Sequence, residues 1–534
     1  ELGRLSEVKV SAAHLDDYRA RFFFRFVPAS LESLSFFPSY HREPGSMAVG
    51  RHESGWMKYL YLGQRMRGGH ASILKSLDLT GCGLSEEQAC ALFPYLPSSL
   101  ESLKLTGNDE FGREGQEELR KRLSGETGTE GGLSALKVLH VSFLCLSASE
   151  SGSGGRSESS LPDGSVDSEE KSGGSKESSA SGSESESGTS SEESESDSES
   201  SESESRGSSA SSESSEPVSS DSDASTDSAS EVCDPALISF VESLPQSLKV
   251  LDMALKGPGR DDLKFLPLEF VEQLSKRFSS GTLSLTELTL RHPFSRSSTP
   301  SLSEEGVVSL FPSLPPSLES LLAEFSVMGV ESWGRIRASL AETGLGGSLK
   351  TLHLRGLERE GALVLFPLLP SSLETLSLIN EAIFFFDTWT VDSSGWRALG
   401  ERFDRGDMGS LSELELEITN LDEETSETFF SSLPPSLEKL LIYIENSLDV
   451  RSWSGFAHRL QSKPFDCFRE LKLKGLSRCF HNDGMEGVMQ GLPSSLESLP
   501  FWDTSTRNEA WTALAENMEG GGLGRLRAGF GLSL

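Results

Sequence analysis

Leucines return along this chain in the spacing L-x-x-L-x-L, with polar residues between the last three. In the stretch from Leu74 to Asn108 the phrase occurs twice, at Leu74, Leu77 and Leu79 and again at Leu100, Leu103 and Leu105. Strict alternation at its end predicts a short strand buried on one side, and the intervening SEEQACALFPYL has the spacing of a helix. A single strand and helix cannot cover their own apolar faces, so such units must stack side by side into a solenoid.

Two kinds of unit alternate. One is led in by L-P-[SP]-S-L-E and opens its strand at Leu31, Leu100, Leu248, Leu318, Leu373, Leu437 or Leu496. The other, often Gly-rich before its strand, opens at Leu5, Leu74, Leu136, Leu285, Leu349, Leu411, Phe468 or Leu523. Each series recurs about every 60 residues, which predicts roughly fifteen strands. Strands of the first kind are followed by a longer helix with an aromatic anchor at Trp56, Trp333, Trp396, Trp453 or Trp511. Each anchor starts an i, i+3, i+7 face, as in Trp396, Leu399 and Phe403, and is expected to pack between neighbouring units. Helices after strands of the second kind run into proline, which ends them and favours an extended approach to the next strand.

One stretch breaks the pattern. Residues 147–231 hold 38 serines, 22 acidic and 4 basic residues, with no aromatic side chain. Too little apolar surface is available there to offset the entropy of ordering, so disorder is expected. The stretch follows the strand LKVLHV and precedes the helical DPALISFVESL, which makes it an insertion into a strand-to-helix connection. Residues 1–146 and 232–534 are then the N-terminal and C-terminal parts of one solenoid.

The insertion also explains the composition. The chain of 534 residues carries a net charge of -34, of which -18 belongs to the insertion and -16 to the rest. Six cysteines (Cys82, Cys90, Cys145, Cys233, Cys467, Cys479) have no metal-ligand spacing and suit a reducing compartment, the cytoplasm or nucleus. No apolar run approaches the roughly 20 residues that span a bilayer. The first residue is Glu1, and neither end has a polar capping unit, so further residues are expected at one or both ends.

With these strands, the turn asparagine of LTGN (Asn108) and units of about 30 residues, the chain resembles the leucine-rich repeat proteins, specifically the ribonuclease-inhibitor-like subclass. It departs from that pattern where glycines such as Gly81 and Gly356 stand near the asparagine position. The resemblance implies an α/β horseshoe solenoid, with a parallel sheet on the concave side, helices on the convex side, and protein partners on the concave face. Residues expected to point there include Ser76 and Asp78, His140 and Asp252, His353, Ser377, and Lys439 and Leu441. The candidate protein-binding residues are the compact acidic stripe Glu413, Glu415 and Glu417 with the nearby Lys439, Lys472 and Lys474. Mutual pairing of these charges on a solvated sheet is the competing reading.

Motifs for catalysis, metals, phosphate cradles and nucleic acid are absent from the sequence, and no cofactor is implied. Chemistry of another sort lies in the insertion. Ser181, Ser183, Ser190, Ser194, Ser196 and Ser201 each have Asp or Glu three residues on, which resembles the preference of acidophilic casein-kinase-2-type kinases. The expected function is a non-enzymatic interaction scaffold, with a phosphorylatable acidic arm that attracts basic proteins or keeps the solenoid soluble. Two alternatives stand beside it: a regulator of a small GTPase, since Ran-type activating proteins share the repeat subclass, and the sensor part of a larger receptor.

Overall fold

The computed structural model describes residues 6–11, 17–37, 56–69, 72–108, 111–126, 131–144, 235–256, 266–291, 302–325, 328–343, 345, 347–379, 391–418, 421–444, 450–462, 465–474, 484–500 and 508–526. The predicted insertion 147–231 and its candidate phosphorylation sites lie outside the described residues.

Among the described residues thirteen strands form one parallel sheet in which each pairs with its neighbours in sequence. They are β1 (Glu7–Ser11), β2 (Ser33–Phe37), β3 (Ser76–Asp78), β4 (Ser102–Lys104), β5 (Val138–Leu144), β6 (Val250–Lys256) and β7 (Glu287–Arg291), then β8 (Ser320–Glu324), β9 (Thr351–Arg355), β10 (Thr375–Leu378), β11 (Glu413–Ile418), β12 (Lys439–Ile444) and β13 (Glu470–Lys474). The register is set by the repeat itself. The middle leucine of each phrase lies beside the same leucine of the next, from Leu34 and Leu77 through Leu103, Leu139, Leu251 and Leu288 to Leu414, Leu440 and Leu471. All of these are at most 1% exposed, so a one-residue slip would put a whole leucine ladder into water.

β5 and β6 flank the insertion, yet they pair over seven positions from Val138↔Val250 to Leu144↔Lys256. The inserted residues thus leave the sheet continuous, as the spacing of the leucines requires. A fourteenth strand position survives as the single bridge Glu470↔Ser498. Leu526 N–H donates to Leu523 O, the bond that Leu136 makes to Leu133 and Phe468 to Phe465. The strand expected from Leu523 onward runs past Leu526 and so outside the described residues.

Helices cover the other face, and the two kinds differ in length as expected. The shorter kind comprises α1 (Asp17–Phe26), α3 (Glu86–Leu92), α5 (Pro235–Ser243), α7 (Glu304–Leu310), α9 (Arg359–Leu365), α11 (Glu423–Ser432) and α13 (Gly484–Gly491). The longer comprises α2 (Trp56–Arg67), α4 (Gly112–Ser124), α6 (Leu268–Ser279), α8 (Val330–Thr343), α10 (Ser393–Asp404), α12 (Val450–Ser462) and α14 (Asn508–Glu519). Three of the shorter helices tighten into a 3-10 turn at Phe93-Pro94, Phe311-Pro312 and Phe366-Pro367. Proline has no N–H for an α-helical bond and is tolerated in the first turn of a tighter helix. Helices pack about 8–10 Å apart but strands less than 5 Å, so a stack of such units bends toward its strands. The architecture is a leucine-rich repeat solenoid of the α/β class, with the sheet on its inner side.

Three devices lock one unit to the next. The L-P-x-x-L phrase is a turn in which the opening leucine N–H donates to the proline carbonyl, as Leu100 does to Pro97 and Leu437 to Pro434. The serine inside it reaches back one unit: Ser99 Oγ donates to Leu74 O at 2.9 Å, Ser247 to Leu136 O at 2.7 Å and Ser436 to Leu411 O at 2.7 Å. On the helix side, an arginine six residues after four of the anchor positions, Gln116, Val271, Trp396 and Trp453, caps the end of the preceding helix. Arg122 donates to Leu96 O, Arg277 to Val241 and Leu244 O, Arg402 to Leu369 O and Arg459 to Leu433 O. Such ends otherwise leave carbonyl groups without partners.

Trp333, Trp396 and Trp453 are at most 1% exposed; the side chains of Trp56 and Trp511 lie outside the description. Trp333 Nε1 donates to Glu358 at 3.1 Å, and a Cβ on Gly361 of α9 would lie 2.4 Å from its ring. The tryptophan thus packs between units, with glycine opposite because nothing larger fits. Asn108 is fully buried and serves the backbone: its amide donates to Leu79 O and Leu105 O, both at 2.8 Å, and its oxygen accepts from Leu84 N–H at 3.1 Å.

Candidate functional site

Alternation along each strand sends every second side chain away from the helices, and parallel in-register pairing lines these up across the open face. β3 and β4 have three residues and present two such positions each. β11 and β12 have six and present three. The open face therefore carries more side chains at β11 and β12 than at β3 and β4.

On the central strands two outward carboxylates are paired with cations of neighbouring strands. Asp252 of β6 is 6% exposed, accepts from Arg291 Nη2 of β7 at 2.8 Å and lies 3.1 Å from His140 Nδ1 of β5. Glu324 of β8 is 8% exposed and pairs with Arg355 of β9 at 3.1 Å. Buried carboxylates held this way tie neighbouring strands together. His140 and Asp252 were expected on this face, but their joining with Arg291 was not.

All six candidate residues fall on three adjacent strands. Glu413, Glu415 and Glu417 run along β11, Lys439 stands on β12, and Lys472 and Lys474 run along β13. Lys439 Nζ lies 3.5 Å from Glu413, which satisfies the pairing reading for that pair. Glu415 is held differently, accepting from Ser377 Oγ at 2.8 Å and from Tyr443 Oη at 3.1 Å. The other side of the Tyr443 ring meets Lys474, whose Nζ is 5.1 Å from the centroid. Between the acidic and basic stripes runs β12, with half-buried Leu441 and Tyr443. His353 stands two strands before Glu415. Burial pushes its imidazole below the usual range, against the opposing pull of Glu415 and Glu413.

Tyr443 was missed because on β12 the outward positions considered stopped at Lys439 and Leu441. The signal was present: ELELEI and KLLIYI continue the alternation to a third outward residue. The surface that results is a carboxylate stripe held at fixed spacing, an apolar and aromatic strip, and a lysine stripe. Such a surface can recognise a partner by charge order and shape.

A cleft of about 600 Å³ lies elsewhere, where the ends of α12 and α13 meet Phe465, Pro493, Ser495 and Arg525. Its lining groups are largely engaged in the inter-unit lock, as in the Ser495 Oγ bond to Phe465 O. Among the described residues no group of three or more His, Cys, Asp or Glu is placed to hold a metal, and no helix is long and apolar enough to cross a membrane. Cys82 and Cys90 are half-buried thiols, and Cys467 is an exposed one.

No protein-family model matches the chain, and no curated protein matches it. Solved structures do, among them the crystal structure of the Rad7 and Elc1 complex in yeast, 14% identical with a TM-score of 0.27. That match covers 53% of this chain and 63% of the other, so it spans less than two thirds of its length, a global likeness too low to bear on what this chain binds.

Proposed function

We propose that this chain is a non-enzymatic protein-interaction scaffold whose partner docks on the open face at β11, β12 and β13. The observation that carries this reading is the order of stripes there: carboxylates, then Leu441 and Tyr443, then lysines, on a sheet the helices leave uncovered. Rigid strands hold these side chains at fixed spacing, so a partner with the matching charge order loses little entropy on binding.

The test is comparative. Tagged wild-type protein, Glu415→Lys/Glu417→Lys and Lys472→Glu/Lys474→Glu are used to capture binding proteins, with thermal melts as the folding control. A protein held by the wild type and lost from both folded variants supports the reading. Retention of every binding protein by both variants overturns it. A turnover assay with a panel of small GTPases addresses the enzymatic alternative: acceleration at catalytic concentrations of this chain would overturn the non-enzymatic reading.

Several finer readings belong with the scaffold. The repeats are those of the ribonuclease-inhibitor-like subclass, with residues 1–146 and 232–534 as two parts of one solenoid and 147–231 as an arm. The arm is phosphorylated at Ser181, Ser183, Ser190, Ser194, Ser196 and Ser201 and draws in basic proteins. Treatment with an acidophilic kinase and mass spectrometry would find phosphate there, and its absence from all six would sink the arm's role. The compartment is the cytoplasm or nucleus, in keeping with sparse cysteines without disulfide-framework spacing and kinase-type serines.

A further inference from the structure

The charge order on β11 to β13 has a length scale as well as a sign. Neighbouring strands lie about 4.8 Å apart, so the carboxylate stripe of β11 and the lysine stripe of β13 are about 10 Å from each other, with β12 between. Only the last two outward rows are sorted by charge. The opening row holds Glu413, Lys439 and Glu470, of which the first two pair with each other. The second row holds Glu415, Leu441 and Lys472, and the third Glu417, Tyr443 and Lys474. These two rows are about 6.6 Å apart at the rise of a strand.

Both lengths are those of an α-helix. Residues four apart on a helix share a face and lie about 6 Å apart along its axis, and the helix with its side chains is about 10–12 Å across. A helix laid along β12 can set an apolar i, i+4 pair on Leu441 and Tyr443. The residues on one side of that pair then stand over Glu415 and Glu417, and those on the other over Lys472 and Lys474. Coiled coils place charges beside an apolar seam in the same way. An extended peptide cannot match the three stripes so well. Its side chains alternate between opposite faces, so along β12 it would offer the sheet a single row.

The floor of this cradle is fixed by its own contacts. Glu415 accepts from Tyr443 Oη at 3.1 Å on one oxygen and from Ser377 Oγ at 2.8 Å on the other. A carboxylate accepts about four hydrogen bonds, so each oxygen keeps capacity for a cation. Lys474 Nζ lies 5.1 Å from the centroid of the same tyrosine ring. Side chains tethered in this way lose little rotamer freedom on binding.

We infer that the segment docking here is an amphipathic α-helix, with a lysine or arginine flank over β11 and an aspartate or glutamate flank over β13. The inference rests on the reading that partners dock at β11 to β13, and it names the kind of partner. Reversing a helix end to end exchanges its flanks, so the charge order also sets the direction in which the helix lies.

Helical peptides test this on the full chain. Three stapled peptides share a leucine stripe of i, i+4 spacing and carry lysine on one flank and glutamate on the other, lysine on both, or glutamate on both. A fourth has the mixed flanks without the staple and contains prolines that prevent a helix. Titration calorimetry is run at about 0.15 M salt, where a Debye length of about 8 Å leaves pairs in contact unscreened. The mixed helix is expected to bind the native protein about tenfold more tightly than either single-sign helix, since each flank of the site offers two charges. Glu415→Lys/Glu417→Lys is expected to prefer the all-glutamate helix, and Lys472→Glu/Lys474→Glu the all-lysine helix, with circular dichroism checking that both variants are folded. A native protein without preference for the mixed helix, a folded variant that keeps the native preference, or equal binding of the proline peptide overturns the proposal. Capture of binding proteins keeps the two readings apart. Proteins held by the native chain and lost from both variants, with no binding of the mixed helix, would leave the scaffold standing and sink the helix.

Discussion

Replacing Asn108 with leucine should be among the most damaging single changes in the sheet. Its side chain is fully buried and makes three hydrogen bonds to backbone groups of Leu79, Leu84 and Leu105, themselves fully buried residues. Leu79 O keeps a second donor, the Cys82 N–H at 3.2 Å. The Leu84 N–H and Leu105 O would lose the partner that Asn108 supplies, and each such buried group costs about 1–3 kcal/mol. A loss of about 3–5 kcal/mol follows once the weakened Leu79 bond is added. Asn108→Asp should do no better, since a carboxylate would accept from Leu84 but face two carbonyl oxygens. Urea unfolding followed by circular dichroism measures the total, and hydrogen exchange of peptides spanning residues 79–108 locates it. Because units of a solenoid lose cooperativity locally, the exchange experiment is decisive. Native-like protection across those peptides, with a stability loss under about 1 kcal/mol, would refute the reasoning.

Other outcomes follow from the locks between units. Arg459→Met should lower the melting point clearly, because Leu433 O loses its donor and the guanidinium leaves the Phe465 ring 4.1 Å away. Arg469→Ala, which removes only an exposed pairing with Glu438 at 3.8 Å, should cost under about 1 kcal/mol. Gly361→Ala forces a methyl against Trp333 and should destabilise by about 1–3 kcal/mol; a thermal double-mutant cycle with Trp333→Leu should recover part of that loss. Asp422 caps α11 through the Thr425 N–H, and its carboxyl is held below the usual range, chiefly by the Ser393 hydroxyl and then by that N–H. A depressed folded pKa stabilises above the unfolded value and loses that stabilisation as pH falls through the folded one. Asp422→Ala should therefore cost about 1 kcal/mol near neutrality and progressively less in acid melts.

How far the sequence could be read depended on whether a residue's partner was a copy of itself. Leucine ladders are of that kind: Leu77 needs Leu103 beside it, and both stand at the same place in their phrase. Period-two alternation, the stacking requirement and the two kinds of unit therefore came from spacing alone.

What spacing left open was every contact between unlike residues one unit away. Arg122, Arg277, Arg402 and Arg459 stand at a fixed offset from the anchor, so a pattern existed. Its meaning emerges only when stacked helices bring each guanidinium to the carbonyl groups ending the helix before. Likewise Asp252 between His140 and Arg291, and Glu415 between Ser377 and Tyr443, join residues on three strands. The sequence by itself determined a stack of strand and helix units with alternating lengths, because burial of leucine depends on period and little else. Which outward side chains meet was decided only by the tertiary structure, since hydrogen bonds and ion pairs act over a few ångströms and require the register that stacking creates.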